Sequence, residues 1–232
     1  MTGHSNRTLD RTGAVAGIAA VVFLLAILIV MKSLPAPDKP IGAIAASARD
    51  DASSLLWGAY LGTLAGLALL AFGAVVAAAL RRVEGNHGGW WLVALVGVAG
   101  TSIGIVGDAA VITFVRAVGH GVTGDTLWIG YGFDHWVGVL VAAPLGLFVF
   151  AAAMGSRSSG LLPRWLSWAG IGIAPLLVVG AASVTGDEVS GGILGVPLFL
   201  GYLTAFIWII ATSVCLWRVP RERAGAHQAA IA

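Results

Sequence analysis

Apolar residues fall in six long runs along this chain, at about 13–31, 55–80, 90–115, 127–154, 165–185 and 193–217, with polar residues gathered between them. Each run is long enough to cross a hydrocarbon core of ~30 Å, which takes about 20 helical residues. Lipid offers no partner to an unpaired backbone N–H or C=O, so the runs must be helices. The pattern predicts an all-α fold, a polytopic membrane helix bundle with six transmembrane helices forming a single integral membrane domain over 1–232. The first run follows Arg7 and Arg11, as the core of a signal peptide would, but it exceeds the ~7–15 residues of such a core. It is read as a retained helix.

The segment 32–54 is the one long connection. It opens with Pro35, Pro37 and Pro40, which favour an extended path. Ile41, Ile44, Ala45 and Ala48 then recur at helical spacing before Arg49, Asp50 and Asp51. This predicts a short interfacial helix in the first outer loop, with its apolar edge on the membrane surface. The other links, 81–89, 119–126, 155–164 and 186–192, are short and rich in Gly, Ser and Asp. They make successive helices antiparallel neighbours.

Charge sets the orientation. One side of the predicted bundle holds Arg7, Arg11, Arg81, Arg82, Arg157, Arg164, Arg218, Arg221 and Arg223; the other holds only Lys32, Lys39, Arg49 and Arg116. The richer side is cytoplasmic by the positive-inside rule, which puts both termini in the cytoplasm (N-in/C-in). Trp57, Trp90, Trp91, Trp128, Trp165 and Trp217 fall near span ends, as interfacial belts do, whereas Trp136, Trp168 and Trp208 fall deeper and read as packing residues.

Composition agrees: 58% hydrophobic and 10% charged residues lie far from the ~25% charged of soluble domains. The formal charge of +2 reflects topology, with no basic cluster of the kind that binds nucleic acid. Cys215 is the single cysteine, so no intramolecular disulfide forms, and it reads as a packing residue.

Glycine placement carries the packing. Gly58, Gly62 and Gly66 share a face of the second span, and Gly100 and Gly104 a face of the third. Small residues let membrane helices approach closely, either within the bundle, the favoured expectation, or at a homo-oligomer seam. Pro144, Pro175 and Pro197 are expected to interrupt three spans.

Candidate chemistry rests on two carboxylates inside the spans, Asp108 and Asp134. Ionisable groups at such depth cost about 2.5–3.5 kcal/mol on insertion scales and point to function. Counting from the outer span ends at 1.5 Å per residue puts Asp108 ~12 Å deep and Asp134 ~10 Å deep. Tyr131 lies one turn before Asp134, His135 follows it, and Thr101 lies two turns below Asp108. Arg116, His120 and Asp125 stand at the rim. These residues predict an outward-facing polar pocket between the third and fourth spans, for a proton, a cation or a polar headgroup. The plain structural alternative is that the carboxylates only hydrogen-bond neighbouring helices. No H-E-x-x-H, P-loop or G-x-S-x-G motif is present, so no catalytic residues, metal site or cofactor are predicted.

The stretch 41–54 leading into Leu55-Leu56-Trp57-Gly58-Ala59-Tyr60-Leu61, with the helix ending at Arg81-Arg82-Val83-Glu84-Gly85, resembles an uncharacterised family of small multi-pass membrane proteins from actinobacteria. The resemblance implies the same topology and a bacterial plasma membrane, and carries no activity with it. The favoured expectation is a small transporter or proton/cation-conducting protein using Asp108, Asp134 and His135. The alternative is a non-catalytic accessory or assembly subunit that binds membrane-protein partners or lipids through its Gly faces. A membrane-embedded metal hydrolase ranks third.

Overall fold

The computed structural model describes residues 2–32, 34–35, 39–85, 88–185 and 194–218, with side chains from residue 8 onward except those of Asp125 and Thr185. The turn 186–192, Arg221, Arg223 and the side chains of Arg7 and Asp125 lie outside that description. Among the described residues every regular element is helical, and six helical segments are long and apolar enough to span a membrane: Thr8–Val30, Ala52–Glu84, Trp90–Gly119, Thr126–Ser159, Arg164–Val184 and Gly195–Arg218.

The first span belongs to helix α1 (Thr2–Val30) and the second is α3 (Ala52–Glu84), with the short α2 (Ile41–Asp50) between them. The third and fourth spans are each made of two helices. These are α4 (Trp90–Thr101) with α5 (Gly104–Gly119), and α6 (Asp125–Leu140) with α7 (Ala142–Ser159). The fifth is α8 (Arg164–Ala181), continued by a 3-10 turn over Ala182–Thr185, and the sixth is α9 (Gly195–Arg218). Gly85 and Gly160 end α3 and α7 with φ of 63° and 71°, a region that L side chains avoid.

One core lies toward the end that carries the termini. Phe148 meets Phe72 and Trp208 edge-on, with centroids 6.0 and 6.3 Å apart. Trp208 is buried and donates its indole N–H to Leu166 O at 2.9 Å, and Gly170 leaves the room for it. A second core at the opposite end joins Leu55, Val111, Phe114, Leu127 and Tyr131 to Ile44, Ala45 and Ala48 of α2. The interfacial helix is present, and its apolar edge is covered by protein instead of lipid, because α3, α5 and α6 end beneath it.

Arginines crowd the termini end and lie on tryptophans: Arg11 on Trp217, Arg81 on Trp91 and Arg157 on Trp168, at 5.5, 4.9 and 4.1 Å. Arg82 pairs with Asp10. Glu84 accepts from the Trp91 N–H at 3.5 Å, placing a carboxylate at the N-terminus of α4, where the helix dipole favours it. Two expectations change here. Trp168 is 55% exposed beside Arg157, so it belongs to the interfacial belt and not to the packing. Pro197 falls in the first turn of α9, where its missing N–H costs nothing, so it does not interrupt that span. Pro175 does lie inside α8.

Candidate functional site

Both breaks occur near the middle of their spans, and each has a local cause. In the third span the Thr101 and Ser102 hydroxyls donate to Gly97 O and Val98 O at 2.9 and 3.2 Å, competing for carbonyls that the helix itself uses. The N–H groups of Ser102, Ile103, Ile105 and Val106 turn to carbonyls three residues back, at 3.1, 3.2, 3.1 and 2.9 Å. A mid-helix stretch of this tighter form marks a hinge or strain. In the fourth span Pro144 has no N–H to give the Leu140 carbonyl, and the helix ends at that residue.

The two broken spans pack break against break. A Cβ on Gly97 would lie 2.5 Å from Phe148 N, one on Gly100 2.8 Å from Pro144 Cβ, and one on Gly104 3.7 Å from Val141 Cγ2. One turn further on, a Cβ on Gly107 would lie 3.4 Å from Asp134 Oδ1. The bare glycine backbone is therefore the surface on which the fourth span rests. On the second span, Gly58 faces Met31, Gly62 faces the Asp108 carboxylate and Gly66 faces Ile105. All five glycines singled out for packing are in contact within the chain.

Asp108 thus projects from the first turns of α5 onto α3, where Gly62 provides the room. Asp134 projects from α6 onto α5 at Gly107, and the two carboxylates are near enough for the charge of one to act on the other. A half-enclosed cavity of about 190 Å³ opens beside Asp108. The breaks contribute Thr101, Gly104 and Val141 to its wall, α1 contributes Leu24 and Ile27, and α9 contributes Tyr202 and Phe206. Tyr202 donates to Gly138 O at 2.8 Å, tying α9 to the last turn of α6.

The other expected site residues divide. Thr101 lines the cavity with Asp108. Tyr131 is buried, donates to Pro35 O at 2.6 Å and stacks on the His135 ring at 6.3 Å. It fastens the connection before α2 onto α6. His135 is held between Tyr131 and Trp136, its Nε2 buried without a hydrogen-bond partner. Arg116 and His120 are exposed at the α2 end, and Arg116 is ~12 Å along the helix from Asp108 at 1.5 Å per residue. Among the described residues no three His, Cys, Asp or Glu side chains gather as metal ligands would.

The expected pocket faced outward between the third and fourth spans. The cavity does touch both spans, through Thr101, Gly104, Asp108, Val141 and Leu145, but it opens toward α1, α3 and α9, and Asp134, Tyr131 and His135 are not in its wall. One polar residue that sequence reasoning passed over lines it: Tyr202, inside the last span. Comparison with known proteins adds no relative, since no family model, curated protein or solved structure matches the chain. Its chemistry is read from the geometry alone.

Proposed function

We propose that this chain is a bacterial plasma-membrane protein, with both termini cytoplasmic, that conducts or transports a proton or small cation through Asp108. The observation that carries this reading is the meeting of two broken spans at mid-membrane around a cavity with a carboxylate in its wall. Discontinuous helices at that depth are tolerated where they line a cavity and are the usual setting of ion sites in transporters.

Asp108 would hold the cation or proton, and Asp134, seated on α5 at Gly107, would be the neighbouring carboxylate to receive it in turn. The termini-end core around Phe72, Phe148 and Trp208 closes one approach, and the α2 cluster with the Tyr131–Pro35 bond closes the other. Both aqueous approaches are then closed, and the half-enclosed side of the cavity is the one left open. Opening would come from the half-helices pivoting at 102–104 and at Val141. The arginine-rich termini end supports the orientation.

The test is flux in proteoliposomes holding the purified chain, under an imposed pH gradient or potential, read with an internal pH dye and with sodium- and potassium-sensitive dyes. Wild type should exceed empty liposomes, Asp108→Asn should abolish the difference, and Asp134→Asn should reduce it. Flux equal in wild type and Asp108→Asn would sink the reading.

A further inference from the structure

The Asp108 cavity has a chemical bias that narrows its ligand. Its polar side-chain groups are Asp108, Thr101 and Tyr202. Each of the two hydroxyls already spends its single hydrogen, Thr101 on Gly97 O and Tyr202 on Gly138 O, so both face the cavity as acceptors only. An ionised carboxylate is also acceptor-only. Among the described residues the lining therefore offers a ligand acceptors but no side-chain donor, and an anion or a carbonyl compound would enter unpaired.

The rest of the wall is hydrocarbon or bare glycine, with Leu24 and Ile27 from α1, Ala65 and Gly66 from α3, Leu145 from α7 and Phe206 from α9. A sodium or potassium ion wants a shell of oxygens, and here the carboxylate sits at one end of a mainly apolar space. Thr101, two turns from Asp108, lies ~10 Å along the span at 1.5 Å per residue. One small ion cannot reach both. A cation with an apolar body matches the cavity throughout. At about 190 Å³ the space falls below the ~300–1,000 Å³ of drug-sized pockets, so the body must be small.

We infer that the Asp108 cavity binds a small monovalent organic cation, an alkylammonium with a short apolar chain, its nitrogen on Asp108 and its chain between α1 and α9. The half-buried rim residues Leu24, Ile27, Tyr202 and Phe206 give it an approach from the bilayer. Proton and ammonium then compete for one carboxylate, so binding of one releases the other. This rests on the transport reading for its purpose, though the binding itself is measurable without transport.

The experiment is calorimetric titration of the purified full chain in detergent with n-butylammonium, using n-butanol, butyrate, sodium and potassium as competitors. Saturable butylammonium binding is expected, at least tenfold weaker in Asp108→Asn, with no displacement by the neutral, anionic or inorganic competitors. Because Asp108→Asn can perturb folding, Gly104→Ala is the second variant. It keeps the carboxylate, its methyl meets only Val141 Cγ2 at 3.7 Å, and it narrows the cavity. It should shorten the longest n-alkylammonium that binds, and an unchanged chain-length profile would overturn the assignment. Asp108-dependent proton or sodium flux in proteoliposomes without butylammonium binding would overturn the ligand class and leave the transport reading standing. Butylammonium binding to wild type without any Asp108-dependent flux would do the reverse.

Discussion

Gly97 and Gly104 lie on one seam, seven residues apart, and alanine at each should have opposite consequences. At Gly97 the added Cβ would sit 2.5 Å from the backbone nitrogen of Phe148 and 2.8 Å from its Cα. Neither atom can turn aside as a side chain does. Reaching an ordinary contact of ~3.5 Å requires α4 and α7 to part by roughly 1 Å. Forced overpacking of this kind costs about 1–3 kcal/mol. At Gly104 the methyl meets one side-chain carbon at 3.7 Å, so that cost is absent.

Both substitutions share the gain of about 1 kcal/mol that alanine brings to a helix over glycine. Gly97→Ala should therefore be neutral to ~2 kcal/mol less stable, and Gly104→Ala up to ~1 kcal/mol more stable. The expected gap of about 1–3 kcal/mol is tenfold in the unfolding equilibrium for every 1.4 kcal/mol. Reversible unfolding in mixed micelles, followed by helical circular dichroism and tryptophan fluorescence, reads that gap directly. Equal stability of the two variants would refute the backbone-to-backbone seam and, with it, the placement of Asp134 over Gly107.

Three further outcomes follow from the same geometry. Trp208→Phe leaves the buried Leu166 carbonyl without its indole donor and should cost about 1–3 kcal/mol, measurable in the same unfolding assay. Lys32 donates to Asp51 at 2.6 Å, and that bond and charge raise its pKa above the ordinary 10.5. The contact's contribution is complete below the unfolded value and is lost as pH rises through the higher folded one. A spin label at Ser53 should accordingly keep its mobility across neutral pH and loosen only above about pH 10.5, and loosening near pH 7 would contradict the pairing. In a Cys215→Ala background, Ser53→Cys should react with an impermeant maleimide from outside intact cells, and protection there would reverse the orientation.

The spans were legible because lipid imposes one rule on every backbone group, and six apolar runs leave little choice in how to meet it. The depth of Asp108 and Asp134 was legible for the same reason, as helical rise converts residue number into distance. Direction was not. Rotation about the helix axis turns Asp108 toward α3 and Asp134 toward α5, and that rotation is set by where glycines let neighbouring helices approach. The face of α2 could be drawn from its period, but an amphipathic helix is satisfied by lipid and by protein alike. Only the convergence of α3, α5 and α6 beneath it decides between them. Pro144 announced the break in the fourth span. The break in the third depends on two hydroxyls, Thr101 and Ser102, which many unbroken helices also carry, and Tyr202 looked no different from any interfacial aromatic.

The features around Asp108 make little sense as devices for stability. An intramembrane carboxylate costs about 2.5–3.5 kcal/mol on insertion scales. The cavity forfeits the dispersion contacts that its walls would otherwise make. The breaks give up regular hydrogen bonds in two helices at once, and Gly62 surrenders a side chain where Asp108 needs room. Each of these lowers the stability of a bundle whose remaining interior, around Phe72, Phe148 and Trp208, is closely packed. Such local violations are expected at functional sites, where a fold gives up consistency for chemistry. Scattered through the bundle they would be ordinary irregularities. Four of them on one 190 Å³ space, contributed by separate helices, argue that the space is there to be occupied. The acceptor-only lining argues that its occupant carries positive charge.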